Sequence, residues 1–287
     1  DYDALRIDIT QMPDNGRIDS VIYDSESLYG EYYDSVGKEV GDEITFKLTD
    51  MMLTSFNFAY WSDIDDSTQS ATGIIKIYSH EGGEELSGLG DEVLKPNRLL
   101  YTSNKVDIEA GFNSVILDDI LLVVPSKITW TFEVTTDDLI KAGVVFSKEP
   151  GTSKGESADD FWVKENGTWT LNRVNSGSLA SDSKNNFRAK VFAYDRESRI
   201  LNYTPDSGFT GINIVKYTVS DGKGGSASAQ VEFFVGTEIV IDSGDSGGDG
   251  DTGGGDQGGG VKKNALTGNE LYGRISGKSK VTGSGGK

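Results

Sequence analysis

The sequence predicts an all-β chain built from β-sandwiches. Apolar and polar residues alternate with a period of two in many short stretches, the mark of strands with one buried face. Gly, Asn, Asp and Pro punctuate those stretches at turn-like spacing. No stretch sustains a helical apolar period, and the region 136–142 has room for one helical turn at most.

Taken in order, residues 1–18 hold one strand, in which Leu5, Ile7 and Ile9 alternate with Arg6, Asp8 and Thr10. Asn15-Gly16 then reads as a hairpin-type turn. From 19 to 195 the alternating rows continue: Ile44, Phe46, Leu48; Phe56, Phe58, Tyr60; Ile128, Trp130, Phe132, Val134; Trp169, Leu171; and Phe187, Ala189, Val191, Ala193. So many strands argue for one sandwich or jelly roll over 19–195. Residues 200–235 add three more strands. Leu201 and Tyr203 mark the first, Val215, Tyr217 and Val219 the second, and Ala227, Ala229, Val231, Phe233 and Val235 the third. Their joints, 205–208 and 221–225, are turn clusters. Residues 242–260 have no apolar side chain and five Asp, which predicts a flexible, self-repelling spacer with weak calcium binding as a secondary reading. Residues 261–287 turn basic, with six Lys or Arg against one acid, and the apolar residues Leu266, Leu271, Tyr272, Ile275 and Val281 return.

Composition narrows the functions. The chain has 287 residues, a formal net charge of −19, no Cys and one His. That charge disfavours nucleic acid, which is itself a polyanion. Without Cys there is no disulfide framework and no thiolate zinc site. A Ser-His-Asp triad has only His80 to build on. The apolar run 120–124 is too short to span a bilayer, and no signal peptide is read. An acidic, Cys-free, Gly/Ser/Thr-rich β sequence has the composition of secreted bacterial surface proteins, which predicts an extracellular or cell-surface location.

Several stretches share wording with known families. LNYTPDSGFTGINIVKYTVSDG, beginning at Leu201, resembles the second half of a bacterial cadherin-like or Ig-like repeat, and DYDALRIDITQMPDNGRI resembles its middle. NALTGNELYGRISG, in the tail, resembles the opening of such a repeat. Members run these pieces together, whereas here the first two stand far apart. The resemblance therefore implies an Ig/cadherin-like sandwich, 1–18 with 196–241, interrupted by a larger jelly-roll-like sandwich at 19–195. A linker at 242–260 and a strand-forming tail at 261–287 follow. The insert itself resembles, through FNFAYW, IKIYSHEGG and ADDFWVKENGTWTLNR, a sandwich of bacterial surface proteins with PEP-CTERM-type sorting signals. Insertion at an exposed turn is thermodynamically mild.

The incomplete repeat carries the functional expectation. Joining the end of the chain to its beginning continues the family wording, so the chain reads as one period of a repeat cut inside a domain. Either the tail completes the next copy's domain by strand complementation, or the chain is one unit of a covalent array. A disordered basic tail is the plainer alternative. The contact residues expected in a head-to-tail polymer are Leu266, Leu271, Tyr272, Ile275 and Val281 against Leu5, Ile7 and Ile9. The function expected is thus a structural subunit or repeat of an extracellular bacterial filament, sheath or adhesive stalk, not an enzyme. The alternative is a cell-surface adhesion or carbohydrate-binding module.

Smaller candidates remain. In the cadherin-like resemblance, acidic positions at domain junctions bind calcium, and they match Asp1, Asp3 and Asp221 here. Bare surface turns are the competing reading. The carboxylate pairs Asp159-Asp160 and Asp63 with Asp65-Asp66 admit calcium or solvated acidic loops alike. Trp162 and Trp169, with Trp130, are candidates for a sugar-binding face, against ordinary core packing. Asn166-Gly167-Thr168 and Asn202-Tyr203-Thr204 match the glycosylation sequon.

Overall fold

The computed structural model describes residues 5–25, 28–65, 67–86, 93–147, 155–158, 160–172, 186–198, 202–236 and 271–276. All regular elements among them are strands. These are β1 (Arg6–Gln11), β2 (Ser20–Asp24), β3 (Leu28–Asp34), β4 (Glu39–Thr45), β5 (Met51–Ser62), β6 (Thr72–Ser79), β7 (Glu85–Leu86), β8 (Val93–Leu94), β9 (Arg98–Thr102) and β10 (Val106–Asp107). They continue as β11 (Gly111–Leu117), β12 (Leu122–Val124), β13 (Lys127–Thr135), β14 (Ala142–Ser147), β15 (Phe161–Glu165), β16 (Thr168–Asn172), β17 (Ala189–Asp195), β18 (Gly211–Ser220), β19 (Ser226–Val235) and β20 (Leu271–Ser276). The chain divides into two compact units: Asp1–Arg17 with Tyr203–Lys287, and Ile18–Asn202.

The central unit, Ile18–Asn202, is a two-sheet sandwich. Its first sheet runs β10-β6-β13-β4-β15-β16, with β9 also on β6. Its second runs β2-β17-β5-β14-β3, with β11 and β12 also on β5. Strand alternation explains the core directly. Ile128, Trp130, Phe132 and Val134 of β13 face Phe56, Phe58 and Tyr60 of β5, and all seven are buried. The Trp130 ring lies 5.1 Å from Phe56 and 5.4 Å from Phe58, and Phe132 lies 4.9 Å from Phe58. Phe187 joins this cluster beside Phe146 and Phe161. Such tilted aromatic contacts add to burial of apolar area, the main stabilising term here.

One expected row shifts. The strand expected through Ile44, Phe46 and Leu48 is β4, which stops at Thr45. There the Thr45 backbone exchanges hydrogen bonds with Glu156, at 2.8 and 3.0 Å, and the chain bends away through residues 47–50. Leu48 is accordingly half-exposed, and the inward residues of β4 are Val40, Asp42 and Ile44. A carboxylate in that row is what disguised the strand.

The terminal unit holds a four-stranded antiparallel sheet, β1-β18-β19-β20. β18 and β19 pair in register from Gly211–Val235 to Ser220–Ser226. Ile9 lies opposite Tyr217, Ile7 opposite Val219, and Val215 opposite Val231, so one face of the sheet is apolar. Among the described residues, the first strand expected in 200–235 does not form. Leu201 lies outside the described residues, and Tyr203-Thr204 forms only a bridge to Arg17.

Candidate functional site

In the terminal unit, the N-terminal turn and the β18–β19 hairpin are tied by backbone and side chain together. Arg17 and Thr204 exchange two backbone hydrogen bonds of 2.8 and 2.7 Å. The hairpin-type turn expected at Asn15-Gly16 thus returns to Thr204, not to its sequence neighbours. Gly16 has φ +128°, and a Cβ there would lie 2.5 Å from the Thr204 carbonyl oxygen, so only glycine fits. Tyr203 Oη donates to the Asn15 carbonyl at 2.6 Å, and its ring stacks on Phe233 at 4.5 Å. Of the expected interface residues in β1, Ile9 is buried, Ile7 half-buried, and Leu5 half-exposed just before the strand.

The sheet's other edge is the tail. β20 pairs antiparallel with β19, setting Leu271 opposite Val235, Tyr272 opposite Phe234 and Ile275 opposite Val231. Three of the expected tail residues therefore sit in a strand on β19 of their own chain. Leu266 and Val281 lie outside the described residues.

Asp221 closes the β18–β19 hairpin. Its Oδ1 accepts from the backbone N–H of Lys223 at 2.8 Å and of Gly225 at 2.9 Å. Those amide donors hold its carboxyl below the usual aspartate range. Asp1 and Asp3 lie outside the described residues, and among the described residues no three acidic or histidine side chains gather as a metal set.

In the central unit the outward face of the first sheet carries a polar layer. Glu39 accepts from Tyr78 Oη at 2.6 Å, Lys76 Nζ at 2.9 Å and Thr131 Oγ1 at 3.1 Å, with Lys164 Nζ at 3.4 Å. Burial alone would raise this carboxyl, but the Tyr78 and Lys76 donors and the two ammonium charges outweigh it and hold it below the usual range. His80 is equally committed. Its Nδ1 lies 2.6 Å from the Leu94 carbonyl and therefore donates, which leaves Nε2 to accept from Thr129 Oγ1 at 2.9 Å. Burial lowers its pKa, so the ring stays neutral.

The tryptophans separate. Trp130 is in the core, and Trp162 is fully buried, edge-on to Trp169 at 6.1 Å. Trp169 is half-buried under Lys164, whose Nζ is 5.0 Å from its ring centre. A sugar cannot stack on Trp162 as it stands. A different aromatic row lies on the outward face of the second sheet: Tyr32 stacks on Trp61 at 4.4 Å, and Trp61 meets the half-exposed Phe112 at 6.4 Å. Its signal in FNFAYW is the change of face at Trp61, out of phase with Phe56, Phe58 and Tyr60.

Against protein families, residues 115–234 match the bacterial Ig domain. The Ig-like match begins in β11 and ends in β19, so it draws on strands of both units. No curated protein and no solved structure matches the chain. Among the described residues no helix is long and apolar enough to cross a membrane.

Proposed function

We propose that this chain is a structural subunit or repeat of an extracellular bacterial filament, sheath or stalk, joined head to tail by strand complementation. The observation that carries this reading is β20: a tail strand lies on the edge of β19, in six-residue register, after a connection of residues 236–270. A connection of that length reaches roughly 100 Å when extended, so the same strand has the reach to pair with β19 of a second copy. Backbone hydrogen bonds supply the affinity and the alternating side chains the register. Exchange in this sense is heterologous and builds an open polymer. The bacterial Ig-like match supports a surface setting and a non-catalytic role. Calcium at Asp1, Asp3 and Asp221 belongs to the same reading, with Asp221 Oδ2 taking neither of the loop's two amide bonds.

Electron microscopy and size-exclusion chromatography of the purified chain, with and without residues 261–287, test it. The intact chain should form filaments or concentration-dependent oligomers, and the truncated chain should not. A truncated chain that polymerises equally well overturns strand donation, and an intact chain that stays a monodisperse monomer overturns the polymer.

A second reading, adhesion to carbohydrate, is favoured by Tyr32, Trp61 and Phe112. Rings on an outward sheet face suit the C–H faces of a saccharide.

A further inference from the structure

The outward face of the second sheet is dented where two small side chains meet. On β11, Val115 is buried, so Phe112, Ser114 and Ile116 point outward, and Phe112 and Ile116 are 53% and 60% exposed. The register sets Phe112 opposite Trp61, Ser114 opposite Ala59 and Ile116 opposite Asn57 of β5. A pair of small side chains therefore stands between two larger pairs. Arg188, just before β17, crosses the gap. Its carbonyl accepts from the Ala59 N–H at 3.3 Å, and its Nη1 reaches Ser114 Oγ, on the far side of β5, at 3.5 Å. The hollow lined by Asn57, Ser114, Ile116 and Arg188 has a volume of about 190 Å³.

The polar groups of this hollow are only partly used. Asn57 Oδ1 accepts from Ser55 Oγ at 3.3 Å, while its Nδ2 has no partner among the described residues. Ser114 Oγ accepts from Arg188, and its own proton has no acceptor among the described residues. Lys190, opposite Asn57 on β17, is held by Asp24 at 3.3 Å. The hollow thus offers an amide and a hydroxyl beside the apolar Ile116 side chain. Two residues further along β11, roughly 7 Å away, lies the aromatic pair Phe112 and Trp61. Apolar surface beside a few convergent polar groups suits a pyranose ring, which has C–H faces and a rim of hydroxyls. The formal net charge of −19 disfavours an anionic sugar. A site that encloses a whole small ligand has roughly 300–1,000 Å³, so this smaller hollow fits one ring of a longer chain.

We propose that this face binds a neutral saccharide chain of at least two rings, one ring on Trp61 and Phe112 and another in the hollow, hydrogen-bonded by Asn57 Nδ2 and Ser114 Oγ. The proposal deepens the saccharide reading of Tyr32, Trp61 and Phe112 and rests on it. The aromatic row supplies a platform that any pyranose face can use, and the hollow supplies recognition of hydroxyls and of chain length. Neither depends on the tail strand or on polymer formation.

The test is binding of the full chain to immobilised neutral gluco-, manno- and xylo-oligosaccharides of one to six rings, with the Tm of every variant measured alongside. In a series that binds, affinity should rise at least about tenfold from one ring to several. Ser114→Val fills the hollow at an exposed strand position that tolerates a β-branched residue, so it should remove that gain and leave the Tm within a few degrees. Asn57→Ala should weaken binding about three- to tenfold through the lost amide bond. Trp61→Ala should abolish binding at every length. Binding that Trp61→Ala abolishes but Ser114→Val and Asn57→Ala leave intact overturns the hollow and leaves the aromatic platform standing. Affinity that does not rise beyond a single ring overturns the two-ring span. A natural chain that binds none of these sugars overturns platform and hollow together.

Discussion

Asn213 uses its side-chain amide to hold both backbone groups of Asn15. Its Nδ2 donates to the Asn15 carbonyl at 2.5 Å, and its Oδ1 accepts from the Asn15 N–H at 3.2 Å. The two residues are far apart in sequence, and Asn213 is 2% exposed. Replacing it leaves the Asn15 groups without these partners in a half-buried turn. Asn213→Ala should therefore destabilise the terminal unit by about 1–3 kcal/mol. Denaturant unfolding with amide exchange at residues 15–17 measures this, and a change within about 0.5 kcal/mol would show the bond to be incidental.

Gly16 supports the same junction through its backbone. With φ +128° and the Thr204 carbonyl in the way of any Cβ, Gly16→Ala should cost about 1–3 kcal/mol. Gly222, with φ +69° and open space around it, isolates the conformational part of that penalty. Gly222→Ala should cost less than Gly16→Ala in the same melts; equal losses would mean that the close approach to Thr204 contributes nothing.

The strand pattern of this chain was legible, and its polar interior was not. Alternation marks the inward rows of β5, β13 and β17 and the buried Val215 of β18, because apolar residues at period two have few other uses; the row expected in β19 is half-buried at most, with Ala227 exposed. The same alternation marks Tyr203 as a strand residue. Its ring is buried on Phe233, but its backbone neighbour makes only a bridge to Arg17. Asp42 carries no such signal, because a polar residue facing inward breaks the alternation that marks a strand. Trp162 and Trp169 suggested a sugar face by residue type alone, and burial separated them. Trp61 lies at the end of a long aromatic run, where its change of face is easy to overlook.

Acid should unfold the central unit partly through Glu39. Its carboxyl is held below the usual range in the fold, so its contribution is complete above the unfolded glutamate pKa, near 4.3, and is lost as pH falls through the lower folded value. Asp42 has the opposite sign: burial raises it well above the usual range, so its ionisation weakens the fold as pH rises. Melting curves from neutral pH to about pH 3 should therefore fall less steeply for Glu39→Gln than for the natural chain. For Asp42→Asn, the Tm should rise relative to the natural chain at neutral pH and converge with it in acid. A Glu39→Gln slope equal to the natural one would remove Glu39 as an acid-sensitive group.

If Trp61 supports saccharide binding, its loss should abolish binding without unfolding the sandwich. Trp61 is only half-buried and faces away from the core, unlike Trp130. Trp61→Ala and Phe112→Ala should each abolish retention on a glycan array while leaving the Tm within a few degrees. Trp169→Ala, on the other sheet, should leave retention intact. Equal loss with Trp169→Ala, or no binding by the natural chain to any glycan, would remove this surface from consideration.

The tail strand offers the sharpest separation of pairing from mere presence. A proline cannot donate a backbone hydrogen bond and is poorly tolerated inside a paired strand. Ile275→Pro, opposite Val231, should disrupt the β20 ladder while keeping the length and charge of the tail. Amide exchange along residues 230–235 should quicken, and any polymer formed by the intact chain should be lost. Polymers that persist with Ile275→Pro while exchange at 230–235 quickens would mean that the chains are joined through a surface other than the β19 edge.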